Sequence, residues 1–203
     1  MKHSVALIGL FSALFAGTVL AQAGNPDVGA QKAVICGACH GVNGNSINPE
    51  WPNLASQHPG YIVDQLKLFK AGVVRNNPIM VPNAMMLADQ DMLDVAAYFS
   101  RQPAQGLEAD PALVKAGEAL YRGGDIARGI AACIGCHGPD GSGNAPAKYP
   151  SVRAQHSVYA VNQLKAFAAG QRNPTSNDMM QTISKKLTED EMRALAAYMQ
   201  GLR

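Results

Sequence analysis

The sequence predicts an all-α protein built from two similar units in tandem. A pentapeptide with two cysteines and a histidine occurs at 36–40 and again at 133–137. A helical pattern with tyrosine, glutamine and phenylalanine in matching places occurs at 61–72 and again at 159–170. No segment shows a convincing alternation of apolar and polar residues, which is the mark of a half-buried strand. Self-similarity at a nearly fixed spacing indicates an internal duplication.

The spacing of apolar residues predicts three helices in each unit. In chain order the predicted helices cover residues 28–35, 61–71, 89–101, 112–121, 159–170 and 188–202. Two of these starts carry recognised signals: Asp110 precedes Pro111 in a first turn, and the residues 188–191 form a capping-box pattern. The segments 41–59 and 138–156, which are rich in Gly, Asn and Pro, are predicted to be loops.

The first 23 residues have the layout of a secretory signal peptide. Lys2 and His3 precede an uncharged apolar run at 5–20, and Ala21-Gln22-Ala23 is a small-x-small cleavage sequence. The alternative is a retained membrane anchor, but an apolar run of roughly 16 residues is short for a hydrocarbon core of about 30 Å. We therefore expect cleavage after Ala23 and export, which in a bacterium means the periplasm.

The composition argues against two classes of protein, nucleic-acid-binding proteins and disordered charged tails. Seventeen basic and 15 acidic residues give a net charge of +2, too balanced to predict binding to nucleic acid. A charged fraction of 16% and a hydrophobic fraction of 47% exclude a disordered charged tail.

The repeats place a first unit at 24–101 and a second at 113–203, joined by a linker at 102–112 that is rich in Pro, Gly, Ala and Gln.

The two Cys-x-x-Cys-His motifs carry the chemistry. A thioredoxin-type redox pair would need a βαβ context, a zinc site would need further ligands, and a plain disulfide would not explain the histidine. Covalent haem c explains every position, because two thiols on one helical turn add to the porphyrin vinyl groups and the next histidine binds the iron. The attachment residues are Cys36, Cys39, Cys133 and Cys136, and the proximal ligands are His40 and His137.

Methionines supply the predicted sixth ligands, and they lie in the predicted loops that follow the 61–72 and 159–170 helices. Alignment of the two units pairs Met80 with Met180, and we expect these two to be the distal iron ligands. Packing is the expected role of the neighbouring Met85, Met86 and Met179. A further hypothesis is that Asn77 and Asn177 orient the sulfur. The duplicated His58 and His156 are the only other candidates for axial ligation, but we expect them to cap a helix or lie at the surface, with a contact to a haem carboxylate or at an interface as the alternative.

The sequence closely resembles the dihaem cytochrome c4 family over essentially all of residues 24–203. The residues that carry the resemblance are Cys36–Gly41, Asn43–Ser46, Tyr61, Gln65–Leu66, Asp91–Phe99, Arg122–Gly124, Cys133–His137, Gln163–Leu164 and Gln200–Leu202. The resemblance implies two tandem class I cytochrome c domains with two covalently bound haem c groups, each with His and Met as axial ligands.

The same resemblance implies a function and partners. The chain is expected to be a periplasmic, monomeric electron carrier that docks transiently with a respiratory donor complex and a terminal oxidase. Some family members also associate peripherally with the membrane. The alternative is the electron-accepting haem subunit of a periplasmic dehydrogenase such as a sulfide-oxidising flavocytochrome. Independent catalysis is not expected, because a methionine for each iron leaves no open coordination position.

Overall fold

The computed structural model describes residues 23–172 and 178–203, and within them it contains ten α-helices. Numbered in chain order, they are α1 Pro26–Lys32, α2 Val34–His40, α3 Pro59–Ala71, α4 Met80–Met85, α5 Asp89–Ser100, α6 Pro111–Gly123, α7 Ile134–His137, α8 Ser157–Ala168, α9 Met179–Ser184 and α10 Glu189–Gly201. The only strand-like pairing in this part of the chain is three isolated bridges. The predicted all-α fold is confirmed.

The predicted signal peptide lies almost entirely outside the part of the chain that the structure describes. Residues 1–22, which hold its apolar run, lie outside the described residues. In the part of the chain that is described, no helix is both long enough and apolar enough to span a bilayer.

Helices α1–α5, here called the first half, pack around one hydrophobic core. Helix α1 crosses α5, and α3 packs against α5 from another side. The crossing of α1 and α5 is close because Gly29 lies against the backbone of α5, where a Cβ would meet the Asp94 carbonyl oxygen at 2.0 Å. The buried members of this core are Ala33, Ile62, Val63, Met92, Val95, Ala96 and Phe99.

Helices α6–α10, the second half, repeat this arrangement. Helix α6 crosses α10 as α1 crosses α5, and α8 packs against α10 as α3 packs against α5. Gly117 occupies the crossing, and a Cβ there would meet the Ala194 carbonyl oxygen at 2.0 Å. The buried members of this core are Tyr121, Ile130, Ala160, Leu164, Leu187, Met192, Leu195, Ala196, Tyr198 and Met199.

The structure contains short helices that the sequence did not predict. The segments that hold the candidate methionine ligands were expected to be loops, but they form α4 and α9. In α4 the Asn77 side-chain oxygen accepts hydrogen bonds from the amides of Ile79 and Met80, both at 2.9 Å, and so satisfies donors at the helix start. The helix predicted at 28–35 is instead two helices that meet at Ala33.

Two glutamines join the halves in a reciprocal way. Gln57 Nε2 donates to the Ser151 carbonyl at 2.9 Å, and the Ser151 amide donates back to Gln57 Oε1 at 3.0 Å. Gln155 makes the matching pair with the backbone of Asn53, at 3.0 and 2.9 Å. Each glutamine side-chain amide thus both donates to and accepts from the backbone of one residue in the opposite half. The two sets of hydrogen bonds are equivalent under the internal duplication.

Removing both glutamines is expected to weaken the contact between the halves. In the double variant Gln57→Ala/Gln155→Ala, partly buried backbone groups of the opposite half lose their partners, at a cost of about 1–3 kcal/mol for each group left unsatisfied. Calorimetry of the haem-loaded protein should then show one unfolding transition split into two. Gln31→Ala on the exposed face of α1 is the control and should leave the transition unchanged. A double variant that unfolds like the parent contradicts this account of the interface.

Candidate haem-binding sites

In the first half, helix α2 carries both thiols and the histidine of the motif. Cys36 and Cys39 are three residues apart on one turn, and His40 is the last residue of the helix. The His40 side chain is 7% exposed, and its Nδ1 lies 2.9 Å from the Pro52 carbonyl oxygen. Because a carbonyl only accepts, Nδ1 carries the proton and Nε2 keeps its lone pair. Nε2 is therefore the atom that can bind a metal.

The second half repeats this geometry closely. Cys133 caps the short helix α7, which contains Cys136 and ends at His137. Nδ1 of His137 lies 2.9 Å from the carbonyl oxygen of Pro150, which again assigns the proton to Nδ1. Burial lowers the pKa of His137, as it does for His40, so both imidazoles are neutral at physiological pH. A neutral imidazole with a fixed tautomer is the form that binds iron.

The thiols do not have the electrostatics of a redox-active pair. All four cysteines are free. Burial raises the pKa of Cys36, and it raises the pKa of Cys133 to about 11. Reactive cysteines instead have lowered pKa values, because the thiolate is the attacking species. Over residues 23–172 and 178–203, no three His, Cys, Asp or Glu side chains form a group that could hold a metal ion.

The candidate distal ligands lie at the starts of α4 and α9. Met80 is the first residue of α4, and its amide donates to the Asn77 side-chain oxygen at 2.9 Å. Met180 packs against the second core. Met85 and Met86 are 62% and 63% exposed, so the packing role expected for them is weak.

Met179 and Asn177 are the sequence neighbours of the candidate distal ligands in the second half. The Met179 sulfur lies 3.9 Å from the Cys136 sulfur, which brings it as well into the second haem-binding region. Asn177 lies outside the described residues. The prediction that Asn77 orients the Met80 sulfur stays a prediction, since the contacts of Asn77 are those of a helix cap.

Of the two other duplicated histidines, His156 lies at the contact between the halves. His156 is 7% exposed, and its Nε2 lies 2.8 Å from the carbonyl oxygen of Ser46 in the first half. His58 is half-buried and directly precedes α3. The Nε2 of His156, the atom that is free in His40 and His137, is thus engaged with a carbonyl of the other half. Met180 stays the predicted distal ligand of the second site.

The donor set of each half fits a covalently attached haem. Each half offers two thiols on one turn and an imidazole with a free Nε2. In the second half a methionine sulfur, that of Met179, also lies 3.9 Å from the Cys136 sulfur. Those are the side chains that thioether attachment and axial ligation of haem iron require.

Comparison with known proteins agrees with this donor set. The family model described as "Cytochrome c" matches residues 29–102 and again 114–203. The chain is 46% identical to cytochrome c4 of Thiocapsa roseopersicina over 183 residues, which cover 89% of this chain and 94% of that protein. It superposes on the crystal structure of reduced recombinant cytochrome c4 from Pseudomonas stutzeri with a TM-score of 0.87, at 42% identity over 89% of this chain and all of the other.

The chain belongs to the cytochrome c4 family. As a cytochrome c4 it has two tandem cytochrome c domains, carries two covalent haem c groups and transfers electrons. This cytochrome c4 is also similar to a protein named thiosulfate dehydrogenase electron acceptor from Stutzerimonas stutzeri. The identity there is 36%, over 82% of this chain and 78% of that protein.

Sequence reasoning missed two buried arginines of this cytochrome c4, Arg75 and Arg172, each 8% exposed. They follow the matched glycines Gly72 and Gly170 by three and two residues, so a one-residue deletion hides their equivalence. An arginine shortly after the same helix in both repeats was the signal that could have found them.

Four cations of the second half are candidates for a docking patch: Arg122, Arg128, Lys185 and Lys186. Three of them are engaged in contacts within that half. Arg122 pairs with Glu118 on the same helix at 3.0 Å. Arg128 pairs with Asp125 at 2.7 Å and also contacts Glu191. Lys186 Nζ donates to the Gly129 carbonyl at 2.7 Å. The contacts of Arg128 and Lys186 tie the loop near residue 128 to α10 and to the segment that precedes it, so three of the four cations have a structural role.

Proposed function

We propose that this cytochrome c4 is a periplasmic electron carrier between respiratory-chain donors and a terminal oxidase. The observation that carries the proposal is the pair of equivalent imidazoles, each with Nδ1 held 2.9 Å from a proline carbonyl. Haem supplies the one-electron couple. The proposed attachment residues are Cys36, Cys39, Cys133 and Cys136, and the proposed axial pairs are His40 with Met80 and His137 with Met180.

The chain's own residues keep the geometry unchanged while the electron arrives and leaves. The Pro52 and Pro150 carbonyls hold the imidazole rings in orientation, which limits reorganisation of the site. A methionine in the sixth position raises the potential relative to a second histidine, because thioether sulfur favours ferrous iron. A filled sixth position also disfavours peroxide or oxygen chemistry.

The proposal includes the organisation of the exported chain. The apolar segment at 5–20 supports a signal peptide cleaved after Ala23, which would deliver the chain to the periplasm. The mature chain would consist of cytochrome c domain 1 at 24–101, a linker at 102–112 and domain 2 at 113–203. We propose a monomer that docks weakly and briefly, as redox encounters between proteins commonly do.

A second candidate is electron acceptance from a periplasmic dehydrogenase. The similarity to the thiosulfate dehydrogenase electron acceptor supports it, at 36% identity. In that role the chain would be a dedicated partner or permanent subunit of a dehydrogenase, and the substrate would be oxidised by the partner.

Purification from the native periplasm separates the two candidates. The carrier proposal predicts a single chain that is reduced by native membranes supplied with a respiratory substrate and reoxidised by their oxidase. It also predicts no reduction by thiosulfate or sulfide alone. Co-purification with a dehydrogenase at a fixed ratio, with reduction that depends on that enzyme's substrate, would contradict the carrier proposal and support the second candidate.

A further inference from the structure

Helix α5 leaves no space for a side chain at Gly24, the residue that would begin the chain after removal of the signal peptide. A Cβ on Gly24 would lie 2.1 Å from the Leu93 carbonyl oxygen and 2.9 Å from Ala97 Cβ. The Gly24 backbone therefore lies directly on α5. The next residue, Asn25, is the N-cap of α1, so this contact sets where α1 begins.

A buried carboxylate of α5 holds the residue that follows Gly24. Asp94 is 4% exposed, and its Oδ1 accepts from the Asn25 amide at 2.8 Å. The same oxygen accepts from Gln90 Nε2 at 2.8 Å. Both donors are neutral, and none of the ion pairs among the described residues includes Asp94. A buried carboxylate is costly unless a cation pairs with it, so Asp94 has the surroundings of a group whose cation is missing.

The side chain of Gln90 reaches the peptide bond that joins Ala23 to Gly24. Its Nε2 lies 3.4 Å from the Ala23 carbonyl oxygen, which belongs to that bond. Its Oε1 is buried and has no hydrogen-bond partner. A side-chain amide can both donate and accept, so Oε1 is available to a donor that arises here. Gly24 is thus flanked by three acceptors of α5: the Leu93 carbonyl, the Asp94 carboxylate and Gln90 Oε1.

Hydrolysis of the bond between Ala23 and Gly24 would make this neutral place cationic. The reaction consumes one water molecule, leaves a carboxylate on the departing Ala23 and leaves an ammonium group on Gly24. The ammonium would lie close to the start of α1, where the free amides of the first turn carry partial positive charge. A cation is unfavourable there unless an anion compensates it. The three N–H donors of an ammonium group match the three acceptors of α5.

The second half offers an internal comparison, because residues 102–110 precede its first helix where the first half would have a terminus. A Cβ on Gly29 would meet the Asp94 carbonyl oxygen, and one on Gly117 would meet that of Ala194, both at 2.0 Å. Ala194 is therefore the counterpart of Asp94. The buried carboxylate occurs in the half that processing would leave with a free amine, and the other half has an uncharged residue in its place.

The remaining charged groups around Gly24 do not substitute for Asp94. They are Asp27, Lys32, Asp64, Asp91, Arg101 and Lys148. Asp91 binds Lys32 at 2.5 Å, and Asp64 binds Lys148 at 2.9 Å. Asp27 and Arg101 are exposed. Of the carboxylates around Gly24 in the described part of the chain, Asp94 is the one that is both buried and without a cation.

We propose that Gln90, Asp94 and the Leu93 carbonyl form a binding site for the α-ammonium group that removal of the signal peptide creates on Gly24. The inference rests on the proposed function in one respect, the cleavage after Ala23. The new terminus supplies the cation that Asp94 lacks and holds the start of α1 on α5. Processing thereby completes the packing of the first half, and the mature chain is more stable than its precursor.

The reaction rate of the terminal amine tests this site in the exported, haem-loaded protein. Trace acetic anhydride modifies unprotonated amines, and at about pH 8 a free terminal amine is partly unprotonated. Mass spectrometry of the peptides that contain Gly24 and Lys32 gives both rates. Asp94→Asn keeps an acceptor for the Asn25 amide but removes the charge, so the terminus should react several-fold faster while Lys32 is unchanged. The control Glu50→Gln removes an equal charge from an exposed position and should change neither rate.

A second variant moves the amine and leaves α5 intact. One alanine inserted before Gly24 places the terminus a residue away from the acceptors, so its amine should react several-fold faster than that of the parent. Asp94→Asn in this background should add no further increase. If Asp94→Asn alone fails to load haem, the comparison of the parent with the insertion variant decides.

The contrary results are distinct. A parent terminus that reacts as fast as that of the insertion variant overturns the site. An unchanged rate in Asp94→Asn overturns it too, and so does an equal increase at Lys32, which would show general loosening of α1. The intact mass separates these results from failure of the proposed function. A chain that does not begin at Gly24 overturns the cleavage on which the site rests, and a chain without two haems overturns the proposed electron carrier.

Discussion

Replacing Met80 with alanine is expected to lower the midpoint potential of one haem far more than that of the other. Loss of the thioether removes the ligand that favours ferrous iron, and axial ligation sets haem potentials over a range of roughly 0.8 V. Met180→Ala should do the same to the second haem. Spectroelectrochemical titration resolves the two potentials, and loss of half of the sulfur-to-ferric-iron absorption band reports the ligand directly.

The neighbouring methionines give matched controls for this prediction. Met85→Ala removes a thioether that is 62% exposed and should leave both potentials and the absorption band unchanged. Met179→Ala is the stricter control, because its sulfur lies 3.9 Å from that of Cys136. If Met179→Ala removes the band while Met180→Ala does not, the ligand of the second half is assigned incorrectly. An intact band in Met80→Ala contradicts the assignment in the first half.

Substituting alanine for Gly117 is expected to destabilise the second half severely. The new Cβ would lie 2.0 Å from the Ala194 carbonyl oxygen and 2.8 Å from Tyr198 Cβ, so helices α6 and α10 must separate. Overpacking typically costs about 1–3 kcal/mol, and a clash with backbone belongs at or above the upper end. In a domain of this size that corresponds to a fall in melting temperature on the order of 10 °C or more.

Gly123→Ala is the matched control on the same helix. A Cβ at Gly123 meets nothing within 4 Å, and alanine is the better helix former. Its melting temperature should equal or slightly exceed that of the parent, as measured by circular dichroism of the haem-loaded protein. A Gly117→Ala protein that melts with the parent would show that the two helices are not packed as closely as the structure has them.

The features most predictable from the sequence were those set by local chemistry and repetition. The duplicated Cys-x-x-Cys-His motifs led to the haem assignment because three reactive side chains within five residues leave few chemical alternatives. The long amphipathic helices α3, α5, α6 and α10 were predicted because apolar spacing and capping signals act within one element. The crossing glycines Gly29 and Gly117 were not predicted, since a close approach of two helices depends on residues more than 60 positions apart.

The contact between the halves was the least predictable part. Gln57 and Gln155 bind backbone groups of the opposite half, and backbone groups have no signature in the sequence. The equivalence of Arg75 and Arg172 was hidden by a length change of one residue between the repeats. Short helices α4 and α9 have no periodic pattern, because six residues are too few to show one. In α4 the start of the helix also depends on the Asn77 side chain, which accepts from the amides of Ile79 and Met80.

Haem stoichiometry of the mature protein tests the central claim most directly. A pyridine haemochrome spectrum combined with the intact mass of the denatured chain measures haem type, number and removal of the signal peptide in one sample. The account predicts the c-type spectrum, a mass equal to residues 24–203 plus two haems, and no release of haem on denaturation. A colourless chain, a single haem equivalent or haem that separates on denaturation would contradict it.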